Sequence, residues 1–136
     1  MSGCGYWSHF LRHDCGGQGC YLEQQTDWLD IINQFPRGIR PTDIDGMVEI
    51  NSHFLFLEEK GQGKSLDTGQ RLAFKRLSCN PNTTVLVFRP GTTADVEAMV
   101  WENGETVGFK PCTRRQFLRW IQRWAIHADA EERPAS

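Results

Sequence analysis

Two short acidic stretches contain the residue types best suited to chemistry. Asp43 and Asp45 stand at the start of one β-prone segment, and Glu58-Glu59-Lys60 closes the next. Residues i and i+2 of a strand project from the same face, so Glu58 and Lys60 are predicted to point together while Glu59 points away. Glu58 follows Asp45 by 13 residues, a spacing that can bring the two carboxylates together across a hairpin.

A cluster of this composition suits a hard cation. Oxygen ligands in small number, with positions left for water and phosphate, are what Mg²⁺ prefers. Carboxylates about 4 Å apart repel each other, so a cation is needed to keep them ionised. The lysine would position or help to deprotonate an attacking water, or stabilise charge on a phosphorane. The predicted reaction class is phosphodiester hydrolysis.

Alternation and periodicity predict the elements that would position these residues. A turn at Asn51-Ser52 joins two strands, Ile44–Ile50 and His53–Glu59, as a hairpin. The other predicted elements are a helix over Tyr21–Gln34, a helix over Asp67–Leu77, strands at Thr83–Phe88 and Val96–Trp101, a turn at Glu102–Glu105 leading into Thr106–Phe109, and a helix from a Thr113 cap to about Ala128. The order α-β-β-α-β-β-α predicts an α/β fold with a mixed central sheet of about four strands flanked by helices.

The two acidic motifs resemble those of the PD-(D/E)xK nuclease superfamily. The segment Pro41-Thr-Asp-Ile-Asp45 stands for the first half of the motif, and Glu58-Glu-Lys60 for the (D/E)xK half. Gln70 followed by Phe74 resembles the Gln-x-x-x-Tyr element of some branches, with Phe in place of Tyr. The resemblance covers residues from about 40 to 75, and small phage-type and Holliday-junction-resolvase-like members are closest in size. It implies a restriction-endonuclease-like core.

The resemblance also implies a role for each matching residue. It implies that Asp45 and Glu58 are side-chain metal ligands and that the Glu59 backbone carbonyl is a third ligand. It also implies that Lys60 is the catalytic lysine and that Gln70 orients the active site or the scissile phosphate. Because Pro41 is not adjacent to an aspartate, either Asp43 or Asp45 could be the ligand. Asp45 is preferred for its spacing to the glutamate. An acid on the upstream helix often joins such sites, and Glu23 is the candidate here, with Asp27 behind it.

The implied activity is that of a Mg²⁺-dependent DNA endonuclease, with Mn²⁺ as a substitute, acting on branched or structured DNA. A domain this small rarely surrounds a duplex alone, so a homodimer is expected. The predicted DNA contacts are Lys64, Arg71, Arg115, Arg119 and Arg123. The last three repeat at i, i+4 and i+8 and so share one helix stripe, which would contact phosphates or form a solvated face.

Two other functions compete with this hypothesis. One is a catalytically silent nuclease-fold binding module, such as a phage-encoded inhibitor or assembly partner, although retention of the acids and the lysine argues against it. The other is a small zinc-containing nucleic-acid binder. Its structural Zn²⁺ would be held by Cys4, His9, His13, Cys15 and Cys20, whose spacings do not match a CxxC pattern. Free thiols and histidines are the alternative interpretation of that cluster.

Composition and charge describe an ordinary globular chain. A Gly/Cys/His-rich lead-in (1–20) is predicted to precede one nuclease-like domain (21–128) and a polar tail (129–136). The formal net charge is −2, yet no Asp or Glu occurs from Thr106 to His127, so a local phosphate-binding face remains compatible with it. Without a signal-peptide pattern or a long apolar run, and with an odd number of cysteines, we expect a bacterial or phage-infected host cytoplasm and no membrane partner.

Overall fold

The computed structural model describes residues 28–131, and the chain divides into two compact units, Met1–Thr42 and Asp43–Ser136. In the first unit the described residues form a short helix, α1 (Leu29–Ile32), followed by a 3₁₀ turn at Pro36–Gly38. This helix is the described part of the one predicted over Tyr21–Gln34, whose positions 21–27 lie outside the described residues. It ends before Pro36, as the proline predicts.

The second unit contains a mixed β-sheet with helices between and after its strands. Its elements are β1 (Gly46–Ile50), β2 (His53–Glu59), α2 (Thr68–Leu77), β3 (Thr83–Pro90), β4 (Val96–Trp101), β5 (Lys110–Cys112) and α3 (Arg114–Ala130). The strands lie in the order β1-β2-β3-β4-β5. β2 and β3 are parallel, whereas the other neighbouring pairs are antiparallel. The predicted α/β class with a mixed sheet is therefore confirmed.

The sheet in the described residues has five strands, so the prediction of about four was too low. The turn at Glu102–Glu105 is confirmed, because these two residues exchange backbone hydrogen bonds of 3.0 and 2.9 Å. Extended pairing then begins at Lys110, opposite Ala98, and not within Thr106–Phe109. The backbone leaves the extended conformation at Gly108, whose φ is 83° and whose N–H donates to Thr106 Oγ1.

The β1–β2 turn determines which residues meet at the far end of the hairpin. Asn51 and Ser52 have φ values of 49° and 66°, the positive pair of a two-residue type I′ turn that matches the twist of the strands. The Ser52 N–H donates to the Glu49 carboxylate at 2.8 Å. The resulting register places Gly46 opposite Leu57. The residues next to that pair are the acids of the two motifs.

Both faces of the sheet are covered by helices, as the element order predicts. On the α2 face the buried cluster is Leu66, Phe74, Val85, Val87, Met99 and Trp101. On the α3 face it is Leu55, Leu86, Val96 and Phe117, with Trp120, Ile121 and Trp124 packed against it. The helical spacing of Leu118, Ile121 and Ala125 predicts one shared apolar face, but Leu118 is 47% exposed, because the helix turns Phe117 toward the sheet.

Side-chain caps fix where the two long helices begin. The Asp67 carboxylate accepts a 2.7 Å hydrogen bond from the Gln70 N–H at the start of α2. Thr113 and Gln116 form a reciprocal capping box at the start of α3, as the predicted Thr113 cap requires. In the described part of the chain, no helix is both long and apolar enough to cross a membrane.

Candidate active site

The two acidic motifs meet where β1 begins and β2 ends. Asp45 immediately precedes β1, and its Oδ2 accepts a hydrogen bond of 2.7 Å from the Glu59 backbone N–H. The hairpin register thus continues one residue beyond the Gly46–Leu57 pair. The Asp45 carboxylate therefore lies beside the backbone at the end of β2. Asp43 is exposed and lies two residues further from the strand.

Glu58 is the most unusual side chain of the site. It is 7% exposed, and its Oε2 has no hydrogen-bond partner among the described residues. Burial is the main cause that raises its pKa above the ordinary value, followed by the negative charge of Asp45, with a smaller contribution from Asp43. Lys60 and a backbone hydrogen bond from Asp45 act in the opposite direction. An ionised carboxylate in this position costs free energy that a bound cation would offset.

Lys60 is held on the same face as Glu58. Its Nζ lies 3.9 Å from Glu58 Oε1 and donates a 2.7 Å hydrogen bond to Gln70 Oε1. Its backbone N–H donates to the Phe88 carbonyl at 2.8 Å, which extends the ladder with β3 and fixes the direction of the side chain. Because the Asp67 cap holds Gln70 in the first turn of α2, the ammonium group has a defined position.

Glu59, the remaining residue of the motif, follows the alternation of side chains between the two faces of the strand. Glu59 is exposed, whereas Glu58 before it is buried and Lys60 after it is half-buried. The Glu59 side chain therefore leaves the α2 face, and only its backbone is near the other two. Asp45 and Glu58 are then the carboxylates available to an ion, and Mg²⁺ is commonly held by one or two carboxylates together with waters. The residues present fit such an ion.

The basic residues predicted to contact DNA fall into two groups. Lys64 is exposed in the loop before α2, and the Arg71 guanidinium lies 5.8 Å from the centroid of the Trp101 ring, a cation–π contact. The exposed arginines of α3 lie on the other side of the sheet from Glu58. A shallow depression there is lined by Arg114, Arg115, Leu118, Arg119 and Gln122, without Arg123.

Several predicted residues lie outside the part of the chain that the structure describes. They are Glu23 and Asp27 of the upstream helix, and Cys4, His9, His13, Cys15 and Cys20 of the N-terminal cluster. The roles predicted for them stay predictions.

Arg89 supports the site but escaped sequence reasoning. Its Nε donates to Glu97 Oε1 at 2.8 Å, its guanidinium stacks 3.7 Å from the centroid of Phe109, and its Nη1 donates to the Lys64 carbonyl. These contacts anchor the loop that connects Lys60 to α2. The available signal was the alternation of β3, which puts Arg89 on the same face as the buried Val85 and Val87.

A second cluster of ligand-type side chains also escaped sequence reasoning. His53, His127 and Glu131 form the one group of three potential metal-binding residues in the described part of the chain. Glu131 lies 78 residues beyond His53, so no local motif announces the group.

Comparisons of the chain with family models, with curated proteins and with solved structures found no match. Its function is therefore inferred from the chemistry of the site.

Proposed function

We propose that this protein is a Mg²⁺-dependent deoxyribonuclease of the PD-(D/E)xK type, which hydrolyses phosphodiester bonds in branched or structured DNA. The observation that carries the proposal is the Glu58 carboxylate, which is buried beside Asp45 and has one oxygen without a hydrogen-bond partner among the described residues. On the same face, Gln70 holds the Lys60 ammonium 3.9 Å from it.

The unpaired oxygen favours an ion site over an ordinary structural ion pair. Nearly all buried polar atoms in native proteins have a hydrogen-bond partner, and an exception calls for an explanation such as an ion or a catalytic role. A surface salt bridge would leave both oxygens in water and would contribute only about 0–1 kcal/mol. Glu58 Oε2 is instead enclosed by protein and has no hydrogen-bond partner among the described residues.

The proposed mechanism assigns one task to each side chain. Asp45 and Glu58, with the Glu59 carbonyl, would hold the ion, which when bound supplies Lewis-acid activation of a water and of the phosphoryl group. A water would form the new P–O bond and give up a proton, while the bond to one sugar oxygen breaks and that oxygen takes up a proton to leave as the hydroxyl. Lys60 donates hydrogen bonds toward the attacking water or the phosphate oxygens and stabilises their developing charge. Gln70 positions Lys60.

The connectivity of the described residues supports a restriction-endonuclease-like core. An antiparallel hairpin, a helix and a strand parallel to β2 follow each other as β1-β2-α2-β3. The same arrangement places the acids and the lysine at the carboxyl end of β2, beside the start of α2. Ligands commonly bind at this edge in sheets with parallel strands.

DNA would be held by the exposed cations of the loop before α2 and of α3. α3 begins directly after β5. Cys112 of β5 pairs with Val96 of β4, which pairs in turn with Pro90 at the carboxyl end of β3, so α3 begins at that end of the sheet. Phosphate contacts from Arg115, Arg119 and Arg123 would make binding weaken as salt rises. Two copies in a homodimer would place one site on each strand of a duplex.

The direct test is cleavage of branched, duplex and single-stranded DNA by the purified chain in Mg²⁺. We expect cleavage that a chelator stops, and Lys60→Ala should reduce its rate by about 10²–10³-fold or more because a positioned donor is lost. Lys75→Ala, an exposed lysine on α2, is the matched control and should cleave at the wild-type rate.

Wild-type protein that stays inert on every DNA and RNA form would contradict the nuclease proposal. If such inert protein also shows no Mg²⁺ binding dependent on Asp45 and Glu58 by calorimetry, the catalytically silent binding module is the better description.

A further inference from the structure

We propose that His53, His127 and Glu131 form a Zn²⁺ site with an open coordination position. The three residues come from the start of β2, the last turn of α3 and the position directly after α3. Their ligand atoms all lie within 4.8 Å of one another. The site is at the opposite end of β2 from Glu58, and it stands independently of the nuclease proposal.

The hydrogen bond at one ring nitrogen of His53 directs the other ring nitrogen at the group. His53 is 6% exposed, and its Nδ1 lies 3.0 Å from the Asn51 carbonyl oxygen, which can only accept a hydrogen bond. Nδ1 therefore carries the proton, and Nε2 is the atom directed at Glu131 Oε2, 2.7 Å away. Metal-bound histidines characteristically donate their other N–H to a carbonyl or carboxylate in this way.

Two acceptors 2.7 Å apart require a cation between or beside them. In neutral His53 the Nε2 lone pair faces an ionised carboxylate, so either a second proton or a metal ion must bridge the two. His127 Nε2 lies 3.7 Å from the same Oε2 and its ring centroid lies 6.0 Å from that of His53. The two imidazoles and the carboxylate therefore converge on one point, as a three-ligand metal site requires.

The distances suit zinc after a small adjustment. Zinc bonds of about 2.0–2.2 Å in tetrahedral geometry separate neighbouring ligand atoms by roughly 3.3 Å. The observed 2.7 and 3.7 Å bracket that value. Glu131 is half-exposed on extended backbone after the helix, so its carboxylate can shift by the fraction of an ångström required.

The ligand set and its surroundings select the metal and its coordination. Two imidazole nitrogens and one carboxylate suit Zn²⁺ and disfavour Mg²⁺, which prefers oxygen alone. His53 and His127 also line a polar cavity of about 290 Å³, together with Asn80, Asn82, Thr84 and Glu102. A zinc ion with three protein ligands has a fourth position for water or a small polar ligand.

The fold holds the two ligand-bearing segments together without the ion. The Asn51 side-chain amide donates to the carbonyls of Ala128 and Asp129, at 3.2 and 3.1 Å. The turn that presents His53 is thereby attached to the helix end that presents His127 and Glu131. Such preorganisation lowers the entropy lost on metal binding, and the bound ion should add a further link between β2 and α3.

The test is a metal titration of the purified, metal-free full chain with Zn²⁺, compared between wild type and His127→Ala. His127 is 76% exposed, so its removal should not disturb folding. We expect the variant to bind one equivalent of zinc fewer, or to bind it at least ~100-fold more weakly, beyond what an outer-shell loss costs. Zinc should also raise the melting temperature of wild type more than that of the variant.

Matched substitutions separate this site from other zinc ligands of the chain. Glu131→Gln should lose the same equivalent, whereas Asp129→Asn, with the same change of charge on an exposed neighbour, should bind as wild type does. With Co²⁺ as a probe, the difference between wild type and His127→Ala should show visible d–d bands without thiolate charge-transfer bands. Equal stoichiometry and affinity in wild type, His127→Ala and Glu131→Gln would overturn the proposal and leave a proton-bridged His–Glu pair.

Discussion

The two ends of β2 carry two different clusters of ionisable groups. At its start, buried His53 faces the α3 side of the sheet and meets His127 and Glu131. At its end, buried Glu58 faces the α2 side and meets Asp45 and Lys60. Nitrogen ligands without a nearby ammonium suit a borderline metal that stays bound, whereas carboxylates beside an ammonium suit a hard ion and a phosphate. One strand thus presents two side-chain clusters of different chemistry, on opposite faces.

The largest expected effect comes from Glu58→Gln, which separates the two sites. Removing the charge of this ligand should reduce Mg²⁺-dependent cleavage by about 10²–10³-fold or more, since ion and phosphate lose their position. The same variant should bind zinc at the other end of β2 as wild type does. Cleavage rates and zinc titration of one preparation measure both. Retained cleavage would remove Glu58 from the proposed mechanism, and lost zinc binding would show that the two sites are not separate.

A smaller effect is expected from Gln70→Ala, which removes the acceptor for the Lys60 ammonium. The lysine keeps its charge but loses its fixed position, so kcat should fall about 10-fold with little change in KM for DNA. Gln70→Glu retains an acceptor oxygen at that position and should retain more activity than the alanine variant. Wild-type kcat in Gln70→Ala would show that Gln70 does not position the lysine.

The smallest expected effect is on the free energy of unfolding, which the buried, ionised carboxylate of Glu58 lowers. Burial, and then the Asp45 charge, raise the pKa of Glu58 above 4.5. The folded state therefore holds the Glu58 proton more tightly than the unfolded state does. The stability that this tighter proton binding gives the folded state is fully present below pH 4.5. It is lost as pH rises through the higher pKa of Glu58 in the folded state.

Glu58→Gln should accordingly be more stable than wild type in a chelator at neutral pH, by an amount that vanishes near pH 4. Urea unfolding at a series of pH values measures it, and Mg²⁺ should restore wild-type stability by binding the folded state. Glu105→Gln, an exposed carboxylate, serves as the control. A stability difference between Glu58→Gln and wild type that is independent of pH, or of opposite sign, would show that the surroundings do not destabilise the ionised Glu58 carboxylate.

The carboxylate end of β2 was accessible to sequence reasoning because its parts are local. A hairpin with a two-residue turn and a capped helix bring Asp45, Glu58, Lys60 and Gln70 together within one short segment, and alternation then assigns their faces. Strand β5 was not accessible in the same way. It has three residues, contains Pro111, and buries no side chain fully, so it carries no alternation to detect.

The histidine end of β2 could not be predicted, because its ligands come together only through tertiary structure. Glu131 lies beside His53 because α3 packs across the sheet and because Asn51 contacts Ala128 and Asp129 at the end of that helix. Arg89 was missed for a related reason. A charged residue in an apolar strand indicates a buried contact, but its partners Glu97 and Phe109 follow only from the strand register.

The most direct test of the account is a crystal structure of the protein in Mn²⁺, with the ion located by anomalous scattering. The nuclease proposal predicts a peak directly coordinated by the Asp45 and Glu58 carboxylates. Glu58 Oε2, which pairs with none of residues 28–131, should be among its ligands. A structure at saturating Mn²⁺ with an ion only at His53, His127 and Glu131, or with none, would contradict it.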